Sequence, residues 1–437
     1  MNFFLSGYDF EENFYNFFPP DEMVCKSKNI FTIIIGNNGI GKSRFLGKIE
    51  HDLLNATEDI ENIISVSLSN SHKFNAATNT NQNLFIPMHH PEYHYGMATL
   101  ETSSNRWISS IESYIKYKND NRYTFFLHNY YSTKVDILDY KKIFKLCLIN
   151  TINDNLIGTR PIINNNIKKI LNFLNFEDKL NIKFNLSKSY HDYKNQALLN
   201  KEIFNFIKET CNLLKIKNLE EIEDKKYSLF EDIYMSDNFI ILLMQDVIEI
   251  KSINLKIKNN KEIYYTDLSS GQKTILSLGL SLICSLKDNS IILIDEPELS
   301  LHPEWQEKIM PLIQDISSDY IGCQFIIATH SPQIVSSIQY KYSYLLDLNT
   351  NKIKNISKFK NRSSDFQLSE VFKTPGNNNE YLIRKLVIML SKLNSNQDLN
   401  IEEEHIIKIV KKLYSEKKFH DKDKVKTLIE LIIELGG

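Results

Sequence analysis

Several features that would assign the chain to a class at once are scarce or missing. The formal net charge is only −2, so overall charge gives no argument for binding nucleic acid or a membrane surface. The five cysteines are scattered and form no CxxC pair; they are Cys25, Cys147, Cys211, Cys284 and Cys323. This pattern predicts reduced intracellular thiols rather than a disulfide framework or a structural zinc site.

Long apolar runs are missing as well. The longest mostly apolar run, near Ile275–Leu286, is interrupted by serines, whereas a membrane-spanning helix needs about 20 residues. The first residues, "MNFFLSGYDF", lack the basic start of a signal peptide and reach an acidic residue at Asp9. We therefore predict a soluble, cytoplasmic protein without a membrane partner.

Three segments have the composition of buried strands that end in polar residues. They are "NIFTIIIGNNGIGKS", "NSIILIDEPE" and "CQFIIATHSP". Continuous apolar strands are typical of a parallel sheet covered on both faces, and such sheets bind ligands at the carboxyl ends of their strands. The sequence therefore predicts an α/β fold with a ligand site at that edge.

The rest of the chain shows helical periodicity. Apolar residues recur at helical spacing from Trp107 to Ile115, from Ile203 to Leu214 and from Leu382 to Leu413. We predict an interrupted α/β domain with a helical insertion and a helical C-terminal region. The predicted parts are 1–100 (first half of the domain), 101–228 (insertion), 229–366 (second half) and 367–437 (C-terminal region).

The first strand is followed by "GNNGIGKS", which has the GxxxxGKS pattern of a phosphate-binding loop. Its glycines let backbone N–H groups turn toward phosphate oxygens, and the helix that follows adds its N-terminal dipole. Lys42 can reach the β- and γ-phosphates, and the Ser43 hydroxyl can ligate Mg²⁺. The predicted nucleotide-binding residues are Gly36, Asn37, Asn38, Gly39, Ile40, Gly41, Lys42, Ser43 and Arg44.

Acidic residues and a histidine end the other two strands. Asp295 can hold Mg²⁺ through water, and Glu296 can act as the base or position the attacking water. The imidazole of His330 can hydrogen-bond a γ-phosphate. We predict Glu296 and His330 as catalytic residues, Ser43 and Asp295 as metal ligands, and ATP with Mg²⁺ as the nucleotide and cofactor.

A second turn with anion-binding character occurs at "LSSGQK", Leu268–Lys273, just before an apolar helical run. In the order "GNNGIGKS", "LSSGQK", "ILIDEPELSLHP", "IIATHSP", the motifs resemble the Walker A, signature, Walker B and switch-histidine motifs of ABC-type ATPases. The resemblance covers 30–50 and 229–345. It implies an ABC-type P-loop ATPase domain with a mostly parallel sheet and an antiparallel part.

Within that family the motifs look most like the soluble branch. This branch includes the overcoming-lysogenisation-defect (OLD) ATPases, their relatives in Septu, Gabija and retron anti-phage systems, and repair ATPases related to chromosome-maintenance proteins. The resemblance implies a head-to-tail homodimer or a higher assembly of such dimers. Ser269, Ser270, Gly271 and Gln272 would then contact ATP held by another copy, and Ser300 to His302 would communicate across the dimer.

Other candidate sites leave two interpretations open. Gln82 is the candidate for the family's Q-loop glutamine, and His90, Glu92 and His94 form either a metal site or an ordered loop. Residues 411–426 predict either a solvated helix face or a surface for nucleic acid or a partner. Six arginines in the whole chain weaken the nucleic-acid interpretation. The aromatic residues Tyr15, Phe17 and Phe18 are candidates for adenine stacking or for core packing.

Three functions fit these patterns. The first is the ATPase subunit of a prokaryotic anti-phage complex, which controls a nuclease (HNH-type) or another effector in trans, because no Toprim pattern follows His330. The second is a DNA-repair ATPase of the RecF or chromosome-maintenance kind, although a zinc hook and long heptad repeats are missing. The third, a transporter subunit, fits poorly because of the long insertion.

Overall fold

The computed structural model of the 437-residue chain describes most of it. The described residues are 4–22, 25, 27–55, 63–68, 73–74, 83–87, 140–153, 160–188, 190–191, 201–228, 237–258, 261–299, 301–395 and 397–435. Within these ranges, no helix combines the length and the apolar character needed to cross a membrane.

Strands and helices are interspersed through most of the chain, and three consecutive helices end it. The strands are β1 (Gly7–Phe10), β2 (Asn13–Asn16), β3 (Ile30–Ile35), β4 (Ile63–Ser67), β5 (Asn83–Pro87), β6 (Phe176–Leu186), β7 (Lys226–Ser228), β8 (Ile248–Ile257), β9 (Glu262–Tyr264), β10 (Ile291–Asp295), β11 (Gln324–Ala328), β12 (Ser343–Asp347) and β13 (Lys352–Asn355). The α-helices are α1 (Lys42–Asn55), α2 (Tyr140–Asn153), α3 (Arg160–Phe173), α4 (Lys201–Leu213), α5 (Asp237–Met244), α6 (Ser270–Ser285), α7 (Pro303–Ser317), α8 (Pro332–Ser337), α9 (Ser364–Phe366), α10 (Glu380–Asn394), α11 (Ile401–Ser415) and α12 (Lys424–Glu434). Short 3₁₀ turns lie at Leu219–Glu223, Tyr265–Asp267 and Ile356–Lys358, and a π-helical turn lies at Gln367–Val371.

The main sheet has seven strands in the order β13-β12-β3-β11-β10-β4-β5. Its neighbouring strands are parallel except for the antiparallel pair β12 and β13. A second sheet, β7-β6-β8-β9, is antiparallel throughout. This topology confirms the predicted α/β fold with a mostly parallel sheet and an antiparallel part.

Alternate side chains of the central strands enter two different cores. Phe31, Ile33 and Ile35 of β3 belong to the core on one face of the main sheet, whereas Ile34 belongs to the core on the other face. The strands β10 and β11 divide their apolar residues in the same way. Both faces are therefore covered, which explains why these strands are buried at every position and mostly apolar.

The predicted helical insertion, 101–228, contains strands as well as helices. Leu180, Ile182 and Phe184 of β6 are fully buried at every second position, as in a strand with one face on a core. β6 pairs with β8, which lies outside the predicted insertion. The description "helical" is therefore too narrow for this segment, because its period-2 stretch follows directly on the helix α3. The domain boundaries at 100, 228 and 366 stay predictions.

One pair of cysteines differs from the prediction of reduced thiols. Cys147 of α2 and Cys284 of α6 form a disulfide, with their Cα atoms 5.3 Å apart. The sequence gives no sign of this pair, because 137 positions separate the two residues and only the packing of α2 against α6 brings them together. Cys25, Cys211 and Cys323 are free thiols.

The last three helices have a core of their own. Leu382, Leu386 and Met389 of α10 pack with Val410 of α11 and Ile429 of α12, separately from the two cores that flank the main sheet. The N-terminus of α12 is held to the start of α10 by the backbone N–H of Lys424, which donates to Asn378 Oδ1 at 3.0 Å. The C-terminal region is therefore helical, as its apolar spacing predicts.

Candidate functional site

The glycine loop connects the buried strand β3 to the helix α1. Gly39 and Gly41 have φ values of +82° and +102°, which favour glycine. At Gly36 the close packing, and not a positive φ, favours glycine, because a Cβ there would lie 2.9 Å from Cγ2 of Ile40. Asn37, Asn38 and Gly39 are exposed, so the rim of the loop is open to a ligand.

Lys42 lies under this loop and beside His330. Its ammonium group donates to the carbonyl of Gly36 at 3.0 Å and lies 3.4 Å from His330 Nδ1. Burial lowers the pKa of Lys42, although Glu296, Asp295 and Glu298 act in the opposite direction. A buried ammonium whose hydrogen-bond partners are uncharged gains from a polyanionic ligand such as a triphosphate.

His330 is held in its neutral form. Burial and the charge of Lys42 lower its pKa to about 4. Since the lysine can only donate, Nδ1 is the acceptor, and the proton of the neutral ring then lies on Nε2. The Nε2–H group can therefore donate a hydrogen bond to a phosphate oxygen.

Ser43 and Asp295, the two predicted metal ligands, lie in direct contact. The Ser43 hydroxyl donates to Asp295 Oδ1 at 3.1 Å. Asp295 is 1% exposed, and its Oδ2 has no hydrogen-bond partner in the described part of the chain. Burial raises the pKa of Asp295 to about 6, and the charge of Glu296 adds to this. A hydroxyl beside a buried carboxylate with an unpaired oxygen suits Mg²⁺, which takes few protein ligands and keeps water and substrate phosphates as the others.

Glu296 begins a tight turn after β10. It has a φ of +51°, and its backbone N–H donates to the carbonyl of Ala328 at 2.9 Å, which fixes it beside the end of β11. Its side chain is half-buried, and its negative charge acts on both Lys42 and Asp295. The geometry thus places this carboxylate beside the lysine and the aspartate, at the edge where water can enter.

The residues of "LSSGQK" form the start of helix α6. The Ser269 hydroxyl accepts from the N–H of Gln272, and the Gln272 side chain accepts from the N–H of Ser269, which is a capping box. Gly271 packs on Trp305, where a Cβ would lie 3.0 Å from the indole ring. In the described residues no hydrogen bond joins 269–272 to the glycine loop, and Ser269 and Ser270 are exposed.

The remaining predicted residues have different outcomes. Arg44 forms an exposed ion pair with Glu11 at 3.0 Å. Tyr15 and Phe17 are buried against Phe45, which is the arrangement that the core-packing interpretation expects. Phe18 is half-buried near Tyr344. Gln82, Ser300 and the set His90, Glu92 and His94 lie outside the described residues.

Three polar residues at this site were given no role in the sequence analysis, although Glu298 lies within the stretch "ILIDEPELSLHP". Glu298 accepts from the N–H of His330 at 2.6 Å, and Gln306 accepts from the Ser331 hydroxyl at 2.7 Å. Asn349 Oδ1 accepts from the N–H of Asn37 at 3.4 Å. Their contacts depend on which strands are neighbours in the sheet, and sequence spacing does not contain that information.

A protein-family model matches residues 31–336, from the first central strand to the helix after His330. This family is described as "AAA domain, putative AbiEii toxin, Type IV TA system". The chain belongs to this family. The match includes the glycine loop, the signature turn, the acidic strand end and His330.

Curated retron and Septu proteins are also similar to this AAA-domain chain. "Retron Ec83 probable ATPase" of Escherichia coli is 28% identical over 262 residues, which cover 57% of this chain and 44% of that protein. "Retron Vc95 probable ATPase" of Vibrio cholerae is 37% identical over 93 residues, covering 19% of this chain and 18% of that protein. "Septu protein PtuA" of Bacillus thuringiensis is 38% identical over 92 residues, covering 18% and 22%. The chain thus spans less than half the length of these relatives.

A solved ATP-binding cassette of an ABC transporter, in its ADP conformation, aligns over 84% of this chain and 94% of its own. The identity is 13% and the TM-score is 0.26, too low a value to support an argument. The fold assignment therefore rests on the sheet topology of the chain itself.

Proposed function

We propose that this chain is an ATPase of a prokaryotic anti-phage defence system, with ATP and Mg²⁺ as substrate and cofactor. The observation that carries the proposal is the contact of Lys42 with His330 and of Ser43 with Asp295 at one edge of the parallel sheet. Membership of the AAA-domain family and the names of the retron and Septu relatives support it. A cytoplasmic location is part of the proposal.

Each residue has a role that its surroundings support. The backbone N–H groups of the loop 36–41 and the Lys42 ammonium bind the β- and γ-phosphates. Ser43 and Asp295 would hold Mg²⁺, which neutralises charge that develops on the phosphate oxygens. The Glu296 carboxylate orients a water for in-line attack and accepts its proton, and His330 donates from Nε2 to a γ-phosphate oxygen.

We further propose that two copies complete each other's sites. The exposed Ser269 and Ser270, with the N–H groups at the start of α6, are free to meet a ligand held by a second chain. In a head-to-tail pair each signature turn would close over the ATP of the other copy. Assembly would then control a nuclease or another effector supplied by a partner protein.

The ATPase proposal is tested by the steady-state hydrolysis of ATP with purified protein. We expect Lys42→Ala and Glu296→Gln to lower kcat at least about a hundredfold, since each removes a group that stabilises the transition state. Lys48→Ala is the matched control, because Lys48 lies on the same helix with an exposed side chain. Equal hydrolysis by all three variants and the unchanged protein would reject the proposal.

The effector proposal needs a different experiment. The purified chain, incubated with plasmid DNA, Mg²⁺ and ATP, should leave the DNA intact. The same chain purified from its native cells should carry a nuclease or another effector, and the Glu296→Gln variant should retain it more strongly in ATP than in ADP. Metal-dependent cleavage by the chain alone would contradict an effector in trans.

A further inference from the structure

The backbone around His330 is held by side chains from a different segment, residues 298–306. Oε1 of Glu298 accepts from the Thr329 hydroxyl at 2.7 Å and from the backbone N–H of His330 at 2.6 Å. On the other side of the histidine, Gln306 Oε1 accepts from the Ser331 hydroxyl at 2.7 Å. The position of the imidazole thus depends on the segment that follows the acidic strand.

Glu298 acts as the hydrogen-bond acceptor of the Thr329 hydroxyl, because the Thr329 oxygen already accepts a hydrogen bond from another group. The Thr329 oxygen accepts from the N–H of Ser331 at 2.9 Å, so its single proton is directed to Glu298. Thr329 is fully buried, and its own N–H donates to the carbonyl of Ile34 at 3.1 Å. A residue without an acceptor at 298 would leave two buried donors unpaired.

The second carboxylate oxygen of Glu298 makes no hydrogen bond that would stabilise the fold in the described residues. Oε2 is buried without a hydrogen-bond partner in the described residues. Burial raises the pKa of Glu298, although the bonds from His330 and Thr329 oppose this effect. A half-satisfied buried carboxylate is costly for stability, so a role in placing another group accounts for it better than stability does.

The turn after β10 brings Glu298 to this position. Glu296 is in the left-handed region, and the N–H of Leu299 donates back to the carbonyl of Glu296 at 3.1 Å. The chain therefore reverses toward the end of β11, where Thr329 and His330 lie. Leu299, next to Glu298, is 38% exposed, so this turn also reaches the surface.

We propose that Glu298 is a positioning residue that sets the place of the His330 imidazole relative to Lys42 and to the γ-phosphate of a bound nucleotide. The inference rests on the proposed ATPase function. Loss of Glu298 lets the 329–331 backbone relax, and His330 no longer meets the γ-phosphate. Binding of the α- and β-phosphates by the glycine loop is unaffected, so the protein loses preference for ATP over ADP rather than affinity for nucleotides in general.

The test measures the dissociation constants of ATP and ADP by calorimetry, with Mg²⁺, in a Glu296→Gln parent in which hydrolysis is blocked. We expect Glu298→Ala to lower the preference for ATP over ADP by about tenfold, as for the loss of a hydrogen bond to a charged group. ADP affinity should stay within about twofold. Glu304→Ala, which removes an exposed carboxylate bonded only to Lys308 in the described residues, is the control and should match the parent.

A double-mutant cycle separates positioning from a merely structural role. His330→Ala should lower the ATP preference by itself, and adding Glu298→Ala should have no further effect, because the two residues act through one group. Glu298→Gln keeps an acceptor at Oε1 and should retain most of the preference. The proposal would be overturned if Glu298→Ala left the preference for ATP over ADP unchanged. It would also be overturned if Glu298→Ala lowered that preference equally in proteins with and without His330.

Two further outcomes are a variant that does not fold and a parent protein that does not bind nucleotide. If Glu298→Ala does not fold, Glu298→Met replaces it, since methionine fills similar space but accepts from neither Thr329 nor His330; a full ATP preference in this variant would also overturn the proposal. If the Glu296→Gln parent binds neither nucleotide, the ATPase function itself fails. A parent that prefers ATP, with variants that prefer it equally, rejects only the role of Glu298.

Discussion

Charges of both signs meet around Lys42 at the end of the parallel sheet. The lysine is buried beside Asp295, Glu296 and Glu298, and its burial outweighs their attraction, so that the pKa of the ammonium is lowered. Asp295 is affected in the complementary way, because burial raises its pKa to about 6. Both shifts mean that the isolated site is electrostatically unfavourable. A nucleotide with its metal would supply the missing opposite charges to both residues.

His330 gives a pH dependence with a defined sign. Its pKa of about 4 in the folded protein lies below the ordinary value of 6.5, so the unfolded chain binds more protons between these values. The free energy of unfolding should therefore fall as the pH drops from about 6.5 toward 4, and part of this fall should be absent in His330→Gln. Denaturant unfolding at pH 7, 5.5 and 4.5 checks it, with the exposed His405→Gln as control. Parallel pH profiles for all three proteins would contradict it.

Single residues were predictable where a motif fixes both type and neighbours. Lys42, Ser43, Asp295 and His330 meet as their motifs imply, since each follows a central strand and the carboxyl ends of parallel strands lie at one edge. Glu298 was missed because its partner, the backbone at His330, is 32 positions away in the chain. The spacing of residues along the sequence does not predict that the turn after β10 contacts the backbone at the end of β11.

At the scale of elements, the apolar contact between the hairpin β1–β2 and helix α1 centres on one ring. Phe45 is fully buried and contacts Tyr8, Phe10, Tyr15 and Phe17 with centroid distances of 5.1–6.0 Å. The helix that carries the phosphate-loop lysine is thereby packed between this hairpin and the main sheet. The aromatic N-terminal stretch therefore supports the loop from behind.

Phe45→Ala should lower the free energy of unfolding by about 3–5 kcal/mol, because it leaves a large cavity among aromatic rings. Phe45→Leu, which keeps most of the volume, should cost clearly less. Chemical denaturation followed by circular dichroism measures both. A loss below about 1 kcal/mol in the alanine variant would show that the hairpin does not depend on this contact.

The central strands were predictable as elements, and the antiparallel sheet only in part. Strands β3, β10 and β11 are mostly apolar because both faces of the sheet are covered, and such a nearly continuous apolar run is a strong signal. The strand β6 alternates apolar and polar residues, but its partner β8 lies more than sixty positions later in the chain. Because apolar residues recur at helical spacing on both sides of β6, the whole segment was predicted to be helical. The segment 101–139 lies outside the described residues.

At the scale of the whole molecule, the two anion-binding turns stay separate within one chain. The glycine loop contacts Asp295 and His330 through Lys42 and Ser43. Residues 269–272 of the signature turn are instead hydrogen-bonded within the start of α6 and pack on Trp305, and Lys273 donates to the carbonyl of Thr266. The rim of the glycine loop is exposed, and so are Ser269 and Ser270 of the other anion-binding turn, so a second copy could bring the two together. This shared exposure is the physical basis for the proposed head-to-tail pair.

The most direct test of this account is sedimentation of the Glu296→Gln protein with Mg²⁺ and either ATP or ADP. We expect ATP, and not ADP, to produce a species with the mass of at least two chains. Ser269→Arg, which fills the exposed signature turn, should bind ATP normally and stay a single chain. A protein that binds ATP with full affinity but sediments as a single chain in both nucleotides would contradict a site completed by a second copy.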